Sequence, residues 1–170
     1  KRYGDFEAPD YVLSNTGVSE QDFSVNVGLN KIQYGFDAYY SLFKNEIGIL
    51  RASHLGGAED QVVAINSEVP LVIQDFTYDI GTPRQDVTHQ LAKLSGFYKW
   101  NELGTVRLSY DLQQNERFEF DVRRGDDDGK PSVDLELVTH NLELSLESDI
   151  GDAISLKTGV MGNFQENFAN

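Results

Sequence analysis

The residues best suited to ligand chemistry form one short charged stretch near the middle of the chain. These residues are Arg123, Arg124, Asp126, Asp127 and Asp128. Guanidinium groups bind anionic oxygens through paired hydrogen bonds, so the stretch is a candidate site for a polar ligand. The alternative is a set of ion pairs that flank a turn. An EF-hand calcium loop is excluded, because Arg124 and Leu135 stand where such a loop requires acidic residues.

The other residues that could bind a metal or act in catalysis are not spaced to form one site. His54, His89 and His140 have no second histidine or cysteine at the spacing of a metal site. Glu116 and Glu119 lie three apart in an alternating run, which places them on opposite faces of a strand rather than around one glycosidic bond. No nucleophile elbow, zinc-protease or phosphate-loop motif is present. We therefore expect no enzyme activity, no metal and no cofactor.

The elements that would position any site are long alternating strands. In residues 105–122 the side chains of Val106, Leu108, Tyr110 and Leu112 point to one face, and polar side chains point to the other. A strand of a globular domain usually has about five or six residues, whereas one that crosses a bilayer at a tilt needs roughly nine to eleven. This run is long enough to span a membrane.

The same alternation predicts three hairpins. They comprise residues 23–29 with 34–42 around Asn30, residues 92–100 with 105–122 around Asn101, and residues 142–146 with 154–160 around Gly151. Leu135 and Leu137 are out of phase with Leu142, which predicts a β-bulge near Val138 to His140.

Short and long connections alternate along these strands. The turns at Asn30, Asn101 and Gly151 are short, whereas residues 1–20, 46–86 and 123–133 are long and polar. Outer-membrane barrels have short turns on the periplasmic side and long loops on the extracellular side. Tyr34, Tyr98 and Trp100 lie beside short turns on the apolar face, where an interfacial ring of aromatic side chains would stand.

One helix is expected in the longest connection. Residues 58–67 carry apolar side chains at helical spacing, which predicts a short helix packed over the mouth of a barrel. The expected fold is therefore all-β, with antiparallel up-and-down hairpins that form part of a transmembrane β-barrel over residues 1–170 and one short helix in a long extracellular loop.

Composition and net charge restrict the kinds of partner that the chain can bind. The chain has a formal net charge of -14, which argues against nucleic acid because phosphate binding requires a basic surface. Hydrophobic residues make up 39% and mean hydropathy is -0.42, as expected where half of each strand faces a wet lumen. No stretch approaches the length of an apolar membrane helix.

Length suggests a section of a larger protein. About six strands are too few to close a barrel, for which roughly eight is the small limit. The sequence begins at Lys1 with neither an initiator Met nor a signal peptide, so we expect an excised section of a larger barrel. Made alone, the section would have open sheet edges through which it could associate with a second copy.

Four segments, taken together, resemble a known family. They are FDVRRGDDDGKPSVDLELVTHNL, YYSLFKNEIGILRASHLGG, INSEVPLVIQDFTYDIGTPRQDVTHQLAK and YKWNELGTVRLSYDLQQN. In this order, with hairpin spacing between them, they are similar to the middle of the barrel of TonB-dependent receptors from Bacteroidota-type bacteria. The resemblance covers nearly the whole chain, from about Gly4 to Gly159.

The resemblance implies a function and a location. Members of the family are barrels of twenty-two strands, closed by an N-terminal plug, that import scarce large ligands such as metal chelates or glycans. The implied location is the outer membrane of a Gram-negative bacterium, and the implied partners are outer-membrane lipid, the TonB complex and an unidentified transported ligand. The plug and the TonB box are not in this sequence.

A second class of function stays open. A soluble all-β binding or adhesion module with acidic loops would show similar hairpins. The two classes differ in what covers the apolar stripe, which is lipid in a transporter and a second sheet in a soluble module.

Overall fold

Antiparallel β-strands dominate the fold. The computed structural model describes residues 1–53, 57–101, 103–122, 129–151 and 153–169. The strands are β1 Arg2–Tyr3, β2 Phe6–Glu7, β3 Val12–Leu13, β4 Val18–Asn30, β5 Tyr34–Gly48, β6 Arg84–Trp100, β7 Gly104–Phe120, β8 Val133–Ile150 and β9 Ile154–Ala169. A 3₁₀ turn at Arg51–Ser53 and the helix α1, Ala58–Ile65, lie between β5 and β6.

The long strands follow one another across a single sheet. Its order is β1-β4-β5-β6-β7-β8-β9, so each long strand pairs with its neighbours in sequence. Every pairing is antiparallel, and β2 and β3 form a separate two-stranded ribbon. The turns that contain Ile32, Asn101 and Gly151 therefore share one end of the sheet, called here the turn end. The opposite end is the loop end. The expected up-and-down hairpins are confirmed.

The expected bulge in β8 is wrong. The pairing of β8 with β7 runs in one register from Thr105–Glu147 to Glu119–Val133, and its pairing with β9 is equally continuous. Leu135 and Leu137 therefore project to the face opposite Leu142, because side chains alternate along an unbroken strand. Their change of phase reflects a different distribution of apolar residues between the faces near the loop end, not an extra residue.

The sheet has no apolar core. Among the described residues, no hydrophobic residue is buried, although many large ones are exposed. The long strands form one layer, and nothing in the described structure packs against either face over their length.

The loop end carries a compact cluster, called here the loop cluster, made of residues 1–17 and 49–53 with 57–83. Asn15 is its hub. The side-chain Nδ2 of Asn15 donates to the carbonyl oxygens of Ile49, at 2.9 Å, and Pro83, at 2.7 Å. Its Oδ1 accepts from the N–H of Gly81 at 2.7 Å. Asn15 is only 6% exposed and has a φ of 60°, so one buried amide holds three separate backbone segments together.

The expected helix is confirmed as α1. Asp60 caps its start, because its carboxylate accepts a hydrogen bond from the N–H of Gly57 at 3.1 Å. Val62 and Ile65 are 59% and 82% exposed, so the helix does not bury its apolar side chains against the described structure. The expected packing over a barrel mouth is not seen there.

No helix in the described ranges is long and apolar enough to cross a membrane.

Replacing Asn15 by Ala should loosen the loop cluster while leaving the long strands paired. The change removes three hydrogen bonds, one buried and two partly buried, and places alanine at positive φ, for a loss of about 2–4 kcal/mol of local stability. Hydrogen exchange of residues 71–83 should accelerate, whereas exchange in β7 should not. Asn15→Gly removes the same bonds without the φ strain and should be intermediate. Unchanged exchange in Asn15→Ala would contradict the role of this amide.

Candidate functional site

The residues proposed from sequence as a ligand site cannot be placed. Arg123, Arg124, Asp126, Asp127 and Asp128 lie outside the described residues. At the border of that stretch, the carboxylate of Asp121 accepts a hydrogen bond from the N–H of Val122 at 2.7 Å, a local turn contact. The two faces of the large sheet are therefore the surfaces on which function can be argued.

One face is apolar over about half of its length toward the turn end, and we call this region the apolar band. Pairing places Phe23 beside Leu42, Leu94 beside Tyr110, and Leu108 beside Leu144. Its members are Phe23, Val25, Val27, Leu29, Tyr34, Phe36, Ala38, Tyr40, Leu42, Ala92, Leu94, Gly96, Tyr98, Trp100, Gly104, Val106, Leu108, Tyr110, Leu112, Leu142, Leu144, Leu146, Ser148, Ile150, Ile154, Leu156, Thr158, Val160, Gly162 and Phe164. None of these side chains carries a charge.

The apolar band is uncovered. Val27 is 61% exposed, Leu108 is 51% exposed and Val160 is 70% exposed. Monomeric soluble proteins rarely expose a contiguous apolar patch of more than a few hundred Å². A continuous uncovered band across six strands indicates a surface that is completed by apolar surroundings.

The band crosses the strands obliquely. Its loop-side edge is Leu42 on β5, but the partner of Leu42 on β6 is Gln90, and the band begins two residues further on, at Ala92. The edge moves by two residues again between β7 and β8, where Leu112 faces His140 and the band begins at Leu142. The edge therefore shifts by about one residue per strand from β4 to β8.

That shift gives the tilt of the strands. One residue of about 3.3 Å for each inter-strand step of about 4.8 Å corresponds to roughly 35° between the strands and the normal to the band. On β6 the band extends from Ala92 to Trp100, and eight such rises at this tilt give a height of about 22 Å. Transmembrane barrels have strands tilted by about 35–45° and an apolar band about 25 Å tall.

Aromatic side chains line the turn-side edge of the band. Tyr34 pairs with Tyr98, and the rings of Tyr98 and Trp100 are 6.1 Å apart, edge to face. Trp100 is 61% exposed. The positions predicted for these three residues beside the short turns are confirmed.

A second aromatic group at the loop-side edge was missed from sequence. The Tyr110 hydroxyl hydrogen-bonds to Nδ1 of His140 at 2.8 Å, and the His140 ring lies 6.1 Å from that of Phe164. On neighbouring strands the Tyr40 hydroxyl donates to Oε1 of Gln90 at 2.8 Å. The members of this group lie on consecutive strands. The sequence would have revealed them if the strands had been aligned by their turns and the residues that face each other across neighbouring strands had been compared.

The opposite face is polar at the same height, and we call it the polar face. A chain of contacts crosses five of its strands. The Phe97 ring lies so close to Gly35 that a Cβ there would approach it to 2.5 Å, and the Arg107 guanidinium stacks 5.5 Å from the centre of that ring. Glu147 then pairs with Arg107 at 3.5 Å and with Lys157 at 3.2 Å.

Amides and carboxylates continue the polar face toward its middle. Asn141 donates to Asp111 at 2.6 Å and accepts from Asn163 on β9. A hollow of about 280 Å³ lies beside Phe97, Arg107 and Lys157, and its lining also includes Asp37, Lys93 and Glu143. A face of this composition suits water or a polar partner.

Near the loop end both faces carry a mixture of charged and apolar side chains: Phe118 and Phe120 share the side of Arg84, and the Arg117–Glu119 ion pair lies on the other side. Beyond the band, the side that was apolar carries charge, and Arg84 there pairs with Glu46 at 3.7 Å and with Asp86 at 3.2 Å. The other side now carries apolar residues between its amides, namely Phe43, Ile47, Val87, Leu91, Val133, Leu135 and Leu137. Leu135 and Leu137 belong to this mixed region, on the side opposite Leu142.

The candidates for metal and acid–base chemistry are dispersed. His89 and His140 lie on opposite faces, and His54 lies outside the described residues. Glu116 and Glu119 also project to opposite faces. Within the described part of the chain, no three His, Cys, Asp or Glu side chains are grouped as a metal site would require.

Comparison of the chain with protein-family models, with curated proteins and with solved structures finds no match.

The Tyr110–His140 hydrogen bond should contribute to stability at the edge of the band. Tyr110→Phe leaves a ring nitrogen without its hydrogen-bond partner, for an expected loss of about 1 kcal/mol in the free energy of unfolding. A double-mutant cycle with His140→Phe should give a coupling energy of about 1 kcal/mol. Tyr98→Phe, at the turn-side edge, is the matched control. Zero coupling in urea unfolding would show that the contact is incidental.

Proposed function

We propose that this chain is a membrane-spanning section of a β-barrel in the outer membrane of a Gram-negative bacterium, belonging to a TonB-dependent transporter. The apolar band faces lipid and the polar face lines the barrel interior. The single observation that carries the proposal is the uncovered apolar band, whose height of about 22 Å is close to that of the apolar band of outer-membrane barrels.

The absence of a core in the described residues supports lipid rather than water around the band. A soluble sheet of this size gains its stability by burying one face against a second layer, at about 25 cal/mol for each Å² of apolar surface. In the described ranges no such layer exists, and no hydrophobic residue is buried. A soluble adhesion or binding module would have to cover the band, which nothing in the described structure does.

The backbone is equally suited to hydrocarbon. Within the sheet the ladders between β4 and β9 run without interruption, so strand neighbours satisfy the peptide groups of the interior strands. Lipid offers no hydrogen bonds, and only helices and closed barrels meet this condition across a membrane. Tilt, band height and two aromatic edges agree with the same surroundings.

The charged side chains near the loop end support a definite orientation. Arg84, Asp86 and Glu136 project outward six to eight residues beyond the band, where a protruding wall would meet water. The long connections lie at this end and the short turns at the other. In outer-membrane barrels the long loops are extracellular, so the loop cluster stands outside the cell.

Transport is the part of the proposal that rests on the sequence resemblance. The segments around the 123–133 connection and the 49–83 connection are those that resemble TonB-dependent receptors. In such a receptor the ligand enters from the loop end and the TonB complex acts from the periplasm. Loops set on a rigid wall are where ligand recognition is expected.

Arginine introduced at Leu108 should destabilise the membrane-inserted protein far more than arginine at the adjacent Ser109. Leu108 projects from the band and Ser109 from the polar face. A charge near the bilayer midplane costs about 2–4 kcal/mol, whereas one in a wet interior costs much less. The measurement is urea unfolding of the full-length protein in lipid vesicles.

The adjacent position serves as the control, because both variants add the same side chain to the same strand. Equal losses at the two positions would contradict a lipid-facing band. A larger loss at Ser109 would reverse the assignment of the faces.

Trp100 provides a test that needs no substitution in the 170-residue chain, because it is the only tryptophan there. At the turn-side edge of the band its fluorescence should be quenched by lipids brominated near the headgroup more than by lipids brominated at the end of the acyl chain. A longer protein would require its other tryptophans to be replaced by Phe. Trp100 fluorescence that neither brominated lipid quenches would favour the soluble module.

A further inference from the structure

The helix α1 lies with its apolar stripe turned away from the loop cluster. Ala58, Val62 and Ile65 project from one side of the helix, because they are spaced by four and three residues. Val62 is 59% exposed and Ile65 is 82% exposed, whereas Ala64 lines a hollow of the loop cluster. An amphipathic helix gains most of its stability by burying its apolar stripe, so this stripe needs a surface that the loop cluster does not provide.

The helix is attached to the rest of the protein through its flanks. In the described structure the hydrogen bonds of residues 57–71 join these residues to one another. The loop cluster holds the chain again just beyond them, where the Ser14 hydroxyl donates to the carbonyl oxygen of Val72 at 3.2 Å and Leu13 forms an antiparallel bridge with Ile73. A segment held in this way can change its orientation without breaking bonds elsewhere.

An uncovered apolar patch lies on the sheet below this connection, on the side of the polar face. It consists of Phe43 and Ile47 on β5 and Val87 and Leu91 on β6, and we call it the wall patch. Val87 and Leu91 flank the position opposite Phe43, so the patch is contiguous across the two strands. Phe43 lies five residues before the end of β5, a depth of about 17 Å. The wall patch belongs to the two strands that the α1 connection joins.

The chain is long enough for α1 to reach the wall patch. Ser53 and Ala58 are five residues apart in sequence, which allows a separation of up to about 16 Å. Ile65 and Ile73 are eight residues apart, which allows up to about 26 Å. Because the second tether is the longer, the end of α1 at Ile65 can reach the depth of Phe43 while its start stays near the loop end.

We propose that α1 is a lid, open in this structure, that closes by laying its apolar stripe on the wall patch. In the closed arrangement Ala58 lies near Ile47 at the rim, and Ile65 lies near Leu91 further down. Closing covers two apolar surfaces that are otherwise exposed, and both belong to one connection and its own strands.

The closed lid would stand between the polar face and the outside. In a transporter it would enclose a ligand that had entered from the loop end. This role in holding a ligand rests on the proposed function, whereas the docking of α1 on the wall patch does not.

Cysteine cross-linking tests the docking, because residues 1–170 contain no cysteine. Val62→Cys combined with Val87→Cys should form a disulfide on mild oxidation of the full-length protein in detergent, with any further cysteine replaced by serine. Ile65→Cys combined with Leu91→Cys is a second, independent pair. Mass spectrometry of the digested protein identifies the linked peptides. Most of the protein should cross-link in both pairs, since closure brings these side chains together.

Two matched controls keep one cysteine of the first pair. Val62→Cys with Thr88→Cys moves the wall cysteine to the other face of β6, and Val63→Cys with Val87→Cys moves the lid cysteine off the stripe. Little cross-linking is expected in either. Control yields that equal or exceed the test yields, or no cross-link in folded protein, would overturn the proposal.

The same protein distinguishes failure of the lid from failure of the barrel. Cross-linking reports the docking of α1, whereas Trp100 quenching reports lipid. Protein that cross-links but shows no quenching would keep the lid and lose the membrane assignment. Protein that is quenched but does not cross-link would keep the membrane assignment and lose the lid.

Discussion

The continuous antiparallel hydrogen-bond ladder is the constraint on which the rest of the structure depends. From β4 to β9 each register holds without a bulge, so every side chain is assigned to one face by its position alone. Backbone groups in hydrocarbon cannot exchange their partners for water, which makes each lost ladder bond expensive. With the backbone fixed, the two faces can differ only through their side chains. Toward the turn end one face is apolar and the other polar, whereas near the loop end both are mixed.

The ladder also determines how the sheet is inclined to a membrane. Strand pairing alone does not set a tilt, but the short turns and the edge of the apolar band shift together by about one residue per strand. Tyr34 follows its turn directly, whereas its partner Tyr98 stands two residues before the end of β6. The shift in the turns comes from loop geometry and the shift in the band from side-chain chemistry. Because the two shifts agree, the row of short turns and the edge of the apolar band are parallel to one plane, as expected if that plane is the membrane.

Sequence alone was sufficient for features that depend on neighbours in the chain. The phase of the strands within the apolar band, the three short turns and α1 follow from local alternation and spacing, and they match the structure. The bulge at Val138 to His140 was wrong because that interpretation assumed that one face stays apolar along the whole strand. Asn15 could not be found, since its partners are Ile49, Gly81 and Pro83, up to 68 residues away. The aromatic group of Tyr110, His140 and Phe164 required the inter-strand register.

Different interactions hold the two ends of the sheet in place. This difference affects which end could accommodate different ligands. At the turn end the polar face is braced across strands, from Phe97 through Arg107 and Glu147 to Lys157. These are partly exposed contacts, each worth little by itself, and the ladder beneath them holds the geometry. In the loop cluster most segments are not in the ladder, so buried side-chain bonds such as those of Asn15 must replace it. A loop held by side chains can change its sequence without disturbing strand registers. In the proposed transporter, ligand specificity can therefore vary at the loop end while the paired strands stay constant.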